Sequence, residues 1–171
     1  MSKMIETRID DFYLKETTKD DTSIILKFIK DLAEYEKMLD EVEATEELIN
    51  ESIFNNKYAT ILLCMYQNEV IGYVVYFYNF STFTGKGTLY LEDVIIDDKY
   101  RHKGFGTEIF YQLARIAKEK DLSRIEWVCL DWNEPSMRFY EDVIKGKPQK
   151  EWIRYRLDQD GIDNLFNNRD K

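Results

Sequence analysis

Apolar residues recur along this chain in two rhythms, and the switching between them sets the order of its elements. Continuous or alternating apolar runs at residues 12–16, 58–66, 70–78, 89–96, 124–130 and 151–157 predict strands. Stripes at helical spacing, Ile25, Phe28, Ile29, Leu32 and Tyr35 in one place and Ile109, Leu113, Ile116 and Ala117 in another, predict helices that bury one face. Thr18 with Asp21 supplies an N-cap and a reciprocal acid for the first helix, although Glu or Gln is the commoner partner. Thr45 followed by Glu46 and Glu47 is the capped start of another. Gln67, Asn68 and Glu69 join two strand runs as a hairpin, with Phe80 and Phe83 in the turn after it. Pro135 opens a short helix, where its missing N–H does no harm, and residues 161–171 read as a weak terminal helix or tail. The order strand, helices, antiparallel strands, central strand, helix, strand, helix, strand gives an α+β fold: a mixed, mostly antiparallel sheet with helices on both faces.

The stretch from 88 to 118 carries the chemistry. Its alternation puts Tyr90, Glu92, Val94 and Ile96 on one face and Leu91, Asp93 and Ile95 on the other. Two adjacent acids in an apolar run are expensive to bury unless paired or used, which marks Glu92 and Asp93 as functional candidates; the competing reading is one acid at a loop and one at a sheet edge. After the strand come Lys99, Arg101, His102, Lys103, Gly104, Phe105 and Gly106, and then the helix. Glycines at a helix start let consecutive N–H groups converge on one point, and the helix dipole adds positive potential there. That is a phosphate cradle, against the plainer reading of a surface turn. Ile109 stands where a dinucleotide fingerprint needs its third glycine, and no Gly-Lys-Ser/Thr is present for a nucleotide P-loop.

Composition narrows the field. A chain of 171 residues, 44% hydrophobic and with only seven glycines and two prolines, is expected to fold as one domain over 1–171 with a sizeable core. A formal charge of −9 disfavours nucleic acid and suits a small cation. Cys64 and Cys129 sit in apolar runs and read as buried free thiols, and one histidine leaves no basis for a metal site. No signal peptide or membrane span is read, so the cytoplasm is the default. Between 34 and 51 eight acids face one base; Glu41, Glu43, Glu46 and Glu47 read as a solvated helix face.

The spacing Arg101-x-x-Gly104-x-Gly106 resembles the acetyl-CoA pyrophosphate loop of the GNAT superfamily of N-acetyltransferases. Leu32-Ala33-Glu34-Tyr35-Glu36-Lys37, Tyr90-Leu91-Glu92-Asp93, Asp131-Trp132-Asn133-Glu134-Pro135-Ser136 and Phe139-Tyr140 are similar, in that order, to its diamine (spermidine/spermine) and thialysine branch, over residues 12–157. The resemblance implies the three-layer GNAT fold with two splayed parallel strands, acetyl-CoA as cosubstrate and a homodimer. It implies Tyr140 as general acid and Glu92 as general base. Residues 101–106 would hold the pyrophosphate, the main chain of Val94, Ile95 and Ile96 the pantetheine, and Asn133 and Ser136 the cofactor arm, with helix capping as their alternative role. Tyr35, Glu36, Glu92 and Asp93 would face the amine. The branch carries an acid and a tryptophan where this chain has Ser81 and Phe83, which removes one substrate-side carboxylate. The expected acceptor is a diamine or polyamine; the alternatives are thialysine or another amino acid, or, in a different class, a non-catalytic acyl-CoA-binding module.

Overall fold

The computed structural model describes residues 3–168. Six strands follow one another across a single sheet in sequence order: β1 (Met4–Glu6), β2 (Phe12–Glu16), β3 (Thr60–Tyr66), β4 (Glu69–Ser81), β5 (Lys86–Ile96) and β6 (Ile125–Glu126). Neighbours pair antiparallel until β5 and β6, which run parallel. β1 was not predicted, since three residues with one buried apolar side chain, Ile5, leave no periodic signal. The β3–β4 hairpin turns on Gln67 and Asn68, both at positive φ (50° and 66°), the geometry a two-residue hairpin of primed type demands.

Helices α1 (Thr22–Tyr35) and α2 (Glu46–Ile49) cover one face; α3 (Phe105–Glu119) and α4 (Glu134–Arg138) cover the other. Thr18 and Asp21 close a 3-10 turn, Lys19–Asp21, that leads into α1 in place of capping α1 itself, Asp21 accepting from the Thr18 N–H at 2.8 Å; the predicted cap of α2 forms, Thr45 Oγ1 accepting from the Leu48 N–H at 3.2 Å. Ile25, Phe28, Tyr73, Val75 and Ile95 pack under α1, while Leu89, Leu91, Ile109, Leu113 and Phe105 pack under α3. Each core stabilises the sheet by burying whole aliphatic side chains, about 1.5–3 kcal/mol apiece.

Strict alternation in β5 fails at one residue. Val75 pairs with Asp93 and Tyr76 with Leu91, so Glu92 is an extra residue in β5 with no partner on β4. This bulge puts Leu91 on the α3 face with Val94 and Ile96, not with Asp93 and Ile95 as a period of two required.

Two predicted strands do not form as drawn. The run 124–130 pairs only at Ile125 and Glu126, opposite Leu89 and Tyr90; beyond that point β5 and the chain after β6 part, which is the splay that the resemblance implied. The run 151–157 forms no strand: it has no strand partner among the described residues, and Trp152, Ile153, Tyr155 and Leu157 are exposed. A last helix, α5 (Gln159–Asn167), starts earlier than the predicted tail, capped by Asp158 on the Gly161 N–H at 2.8 Å; the end of the predicted 161–171 stretch lies outside the described residues. None of the described helices is long and apolar enough to cross a membrane.

Candidate active site

The loop between β5 and α3 is built to receive an anion. Gly104 takes a left-handed conformation (φ 86°) as the N-cap of α3 and offers no side chain to cap it. His102 is left-handed too, at φ 62°. Among the described residues, the main-chain N–H groups of residues 102–107 have no protein acceptor; the first helical bond is Glu108 N–H to Gly104 O at 3.0 Å. Six consecutive donors at a helix N-terminus are what a pyrophosphate needs. Gly106 lets two elements approach closely: a Cβ there would meet the ring of Phe139 at 3.2 Å, so the start of α3 and the turn after α4 touch where a side chain is missing. His102 and Lys103 are exposed, and Phe105 is buried as the loop's anchor.

Arg101 is turned inward. Its Nε donates to Ile96 O at 3.0 Å, its guanidinium pairs with Asp98 at 2.7 Å and lies 4.8 Å over the ring of Tyr35. It fastens the loop to the end of β5 and to α1. The Tyr35 hydroxyl in turn donates to Asn133 Oδ1 at 3.2 Å, which also accepts from the Ser136 N–H at 3.3 Å. Tyr35 is therefore a brace between helices and does not line the gap where the acids lie. Asn133 caps α4 with its oxygen, and its Nδ2 has no protein acceptor among the described residues.

Where β5 and the chain after β6 diverge, Leu32 and Glu36 of α1, Leu91, Glu92, Asp93 and Val94 of β5, Trp127 and Val128 beyond β6, and Tyr140 line a cavity of about 50 Å³. That is the scale of one or two waters. Asp97 N–H bonds Ile71 O at 2.8 Å and Tyr73 stands opposite Ile95, so residues 93, 95 and 97 direct their main-chain groups at β4. By the same alternation Val94 and Ile96 direct theirs into the gap, while Ile95 belongs to the ladder.

Three carboxylates share the α1 side. Burial raises the pKa of Asp93, and the hydroxyl of Tyr73, which donates to Oδ2 at 2.7 Å, pulls it back. Burial and then the Asp93 charge raise Glu36; the same two causes raise Glu92, against a weaker pull from Arg154 and Arg156. Such a cluster favours a cation between its members. No His, Cys, Asp or Glu group of three among the described residues is arranged to hold a metal ion.

Tyr140 comes from the opposite side. It follows α4 in a π-helical turn, Phe139–Val143, and packs among Phe110, Trp127 and Phe139. Burial pushes its pKa up to about 12. Sequence reasoning missed Tyr73, because a tyrosine inside an apolar strand gives no sign of a polar task; Cys129, read as a buried thiol like Cys64, is only half-buried and lies close enough to Tyr140 to raise its pKa further.

Known proteins share the sequence pattern and the fold of this chain. The sequence profile of the acetyltransferase (GNAT) family matches residues 25–143. A thialysine N-epsilon-acetyltransferase from Bos taurus is 33% identical over 137 residues, covering 75% of this chain and 80% of its own. One from Caenorhabditis elegans is 30% identical over 149 residues, covering 86% and 92%. An integron cassette protein from V. cholerae superposes with a TM-score of 0.76 at 22% identity, over 91% of this chain and 98% of its own, which is a likeness of fold.

Proposed function

The chain belongs to the acetyltransferase (GNAT) family, and from that premise we propose that it moves the acetyl group of acetyl-CoA directly to a primary amine of a small cationic acceptor, both substrates being bound together. The observation that carries the reading is the presence together of six N–H donors at residues 102–107, which have no protein acceptor among the described residues, and of a carboxylate cluster where β5 and the chain after β6 part. An acyl-CoA-binding module needs the first and has no use for the second.

Acetyl-CoA supplies the activated thioester; the chain's own groups bind, orient and move protons. The N–H groups of residues 102–107 and the positive end of α3 hold the diphosphate, and the Val94 and Ile96 main chain and Asn133 Nδ2 face the arm. Glu36 and Asp93 draw the acceptor's cationic end to the α1 side. An alkylamine of pKa about 10.4 is roughly 0.04% neutral at pH 7, a penalty of about 4–5 kcal/mol. Glu92, whose pKa stands above the ordinary carboxylate range, takes that proton directly or through a water of the cavity.

Tyr140 gives its proton to the departing thiolate. Against a free thiol of pKa about 8.5, a phenol near 12 is a poor acid, with a deficit of about 5 kcal/mol. The burial that weakens the phenol also destabilises a thiolate formed beside it, so the gap narrows inside the site. The phenol is fully protonated at every working pH, as a general acid must be.

Diamines and polyamines fit the cluster. Thialysine or a related amino acid is the second reading, supported by the two relatives and by Ser81, which is buried and offers no carboxylate in the turn beside an exposed Phe83. Incubation with acetyl-CoA and a panel of putrescine, spermidine, thialysine and lysine tests both, read as free thiol released and acetylated amine formed. Amine-dependent turnover is expected, with no acetylated enzyme from acetyl-CoA alone; thiol release that no amine stimulates contradicts the proposal.

A further inference from the structure

Glu108 is a buried carboxylate in the first turn of α3, one turn beyond Gly104, whose carbonyl accepts its N–H. Four donors meet its two oxygens. Oε1 accepts from Gln112 Nε2 at 2.7 Å and from the Arg8 main-chain N–H at 3.2 Å, and Oε2 accepts from Arg8 Nε and Nη2, each at 2.8 Å. Burial pushes the Glu108 pKa up; the donors of Arg8 and Gln112 outweigh it and hold the group below its ordinary value. Glu108 is therefore an anion at neutral pH, and Arg8 carries the charge that cancels it.

Arg8 reaches α3 from the turn between β1 and β2. Its guanidinium also lies 3.4 Å over the ring of Tyr111 on α3. The same hairpin touches the glycine loop twice more: Ile9 Cδ1 stands 3.8 Å from the place of a Cβ on Gly104, and the rings of Phe12 and Phe105 are 4.5 Å apart. Arg8 precedes the residues that match the family profile, 25–143, so the partner of Glu108 comes from outside the family pattern.

A charge on Glu108 conflicts with the task of its own helix. The N–H donors of residues 102–107 and the positive end of α3 draw an anion, and a bare carboxylate in the same turn opposes them across protein that screens little. We infer that Arg8 is a positioning residue for the cosubstrate: it neutralises Glu108 and so keeps the start of α3 positive toward the diphosphate of CoA. The inference rests on the reading that puts the diphosphate at residues 102–107. A salt bridge with only a mechanical task would tie hairpin to helix whatever its net charge; here the sign of the charge left on α3 decides how tightly the cosubstrate binds.

Isothermal titration of CoA into the full chain at about pH 8, where carboxylates are ionised, tests it. Arg8→Met keeps an apolar stem over Tyr111 and removes the charge, and its Kd for CoA is expected to rise about tenfold. Arg8→Met combined with Glu108→Gln removes both charges and is expected to return to within about threefold of the parent, a rescue that a lost mechanical tie does not give. In steady state the rise in Arg8→Met should fall on the KM for acetyl-CoA and not on the KM for the amine. Because a buried charge without its partner is costly to fold, Glu108→Gln alone supplies an independent reading: it is expected to bind CoA as tightly as the parent or tighter, since the Arg8 charge is set free. A Glu108→Gln protein that binds more weakly, a double variant no tighter than Arg8→Met, or an Arg8→Met protein with the parent's Kd overturns the inference and leaves the site reading standing. A parent that binds no CoA overturns both.

Discussion

Tyr73 donates its hydroxyl to Asp93 Oδ2 at 2.7 Å, diagonally across the β4–β5 ladder. The tyrosine is fully buried and its ring stacks on Phe28 at 5.7 Å, so it has no freedom to turn away. One oxygen of Asp93 is thereby fixed inside the protein and its charge is eased by one donor. In Tyr73→Phe that easing is lost, and the raised pKa of Asp93 moves further up. The acidic limb of kcat/KM for the amine is expected to shift to higher pH and the amine KM to rise several-fold. Chemical denaturation should show a stability loss of about 1–3 kcal/mol, the cost of removing a hydrogen bond to a charged group.

Glu36 is predicted to trade stability for binding. Burial and the charge of Asp93 raise its pKa, so its ionised form is less favourable in the folded protein than in the unfolded chain. For a raised carboxylate, that contribution is fully favourable below the unfolded value, about pH 4, and is lost as pH rises through the folded value. Glu36→Gln is therefore expected to melt at a higher temperature than the parent at pH 7–8 without amine, the difference closing as pH falls toward about 4. Its KM for the amine should rise about tenfold, equivalent to 1.4 kcal/mol. Melting curves at the two pH values and steady-state kinetics check both halves.

Glu92 has its own signature. As the residue that takes the proton, its removal in Glu92→Gln is expected to lower kcat roughly 10²-fold and to flatten the acidic limb of the pH–rate profile. The rise toward the amine's own pKa, about 10.4, should persist, because a deprotonated amine needs no base.

Much of this was legible in the chain. The glycine loop ahead of α3 was, because Gly104, Gly106 and the basic residues before them lie next to one another and need no tertiary information. Glu92 and Asp93 were, because acids inside an apolar run announce themselves. Their separation was not: the bulge at Glu92 depends on Val75 and Tyr76 of the neighbouring strand, and a period of two read along β5 alone placed Leu91 on the wrong face. The contacts that hold Arg101 and Tyr35, the ion pair with Asp98 and the bond to Asn133, are loop-specific or long-range, and no periodicity encodes them. The segment 151–157 has a strand's pattern in its residues; a strand also needs a paired neighbour, and among the described residues it has none.

Gly106→Ala should act on the cosubstrate and not on the amine. Its Cβ would press on the Phe139 ring at 3.2 Å and stand among the N–H donors at the start of α3. The KM for acetyl-CoA is expected to rise about tenfold or more with a stability loss near 1 kcal/mol, of the order seen for local overpacking. Adding Phe139→Leu makes room for the methyl and should restore stability. It should restore affinity only to the extent that the ring, and not the blocked donors, was the cause.

The proton donor is the claim on which the chemistry turns, and single-turnover kinetics of Tyr140→Phe measure it most directly. With enzyme, acetyl-CoA and amine all saturating, the variant is expected to lose about 10²- to 10⁴-fold in the rate of thiol release, the range for a positioned acid, while binding of CoA and the melting temperature stay close to those of the parent. A variant that keeps the full single-turnover rate contradicts the assignment of Tyr140 as the acid.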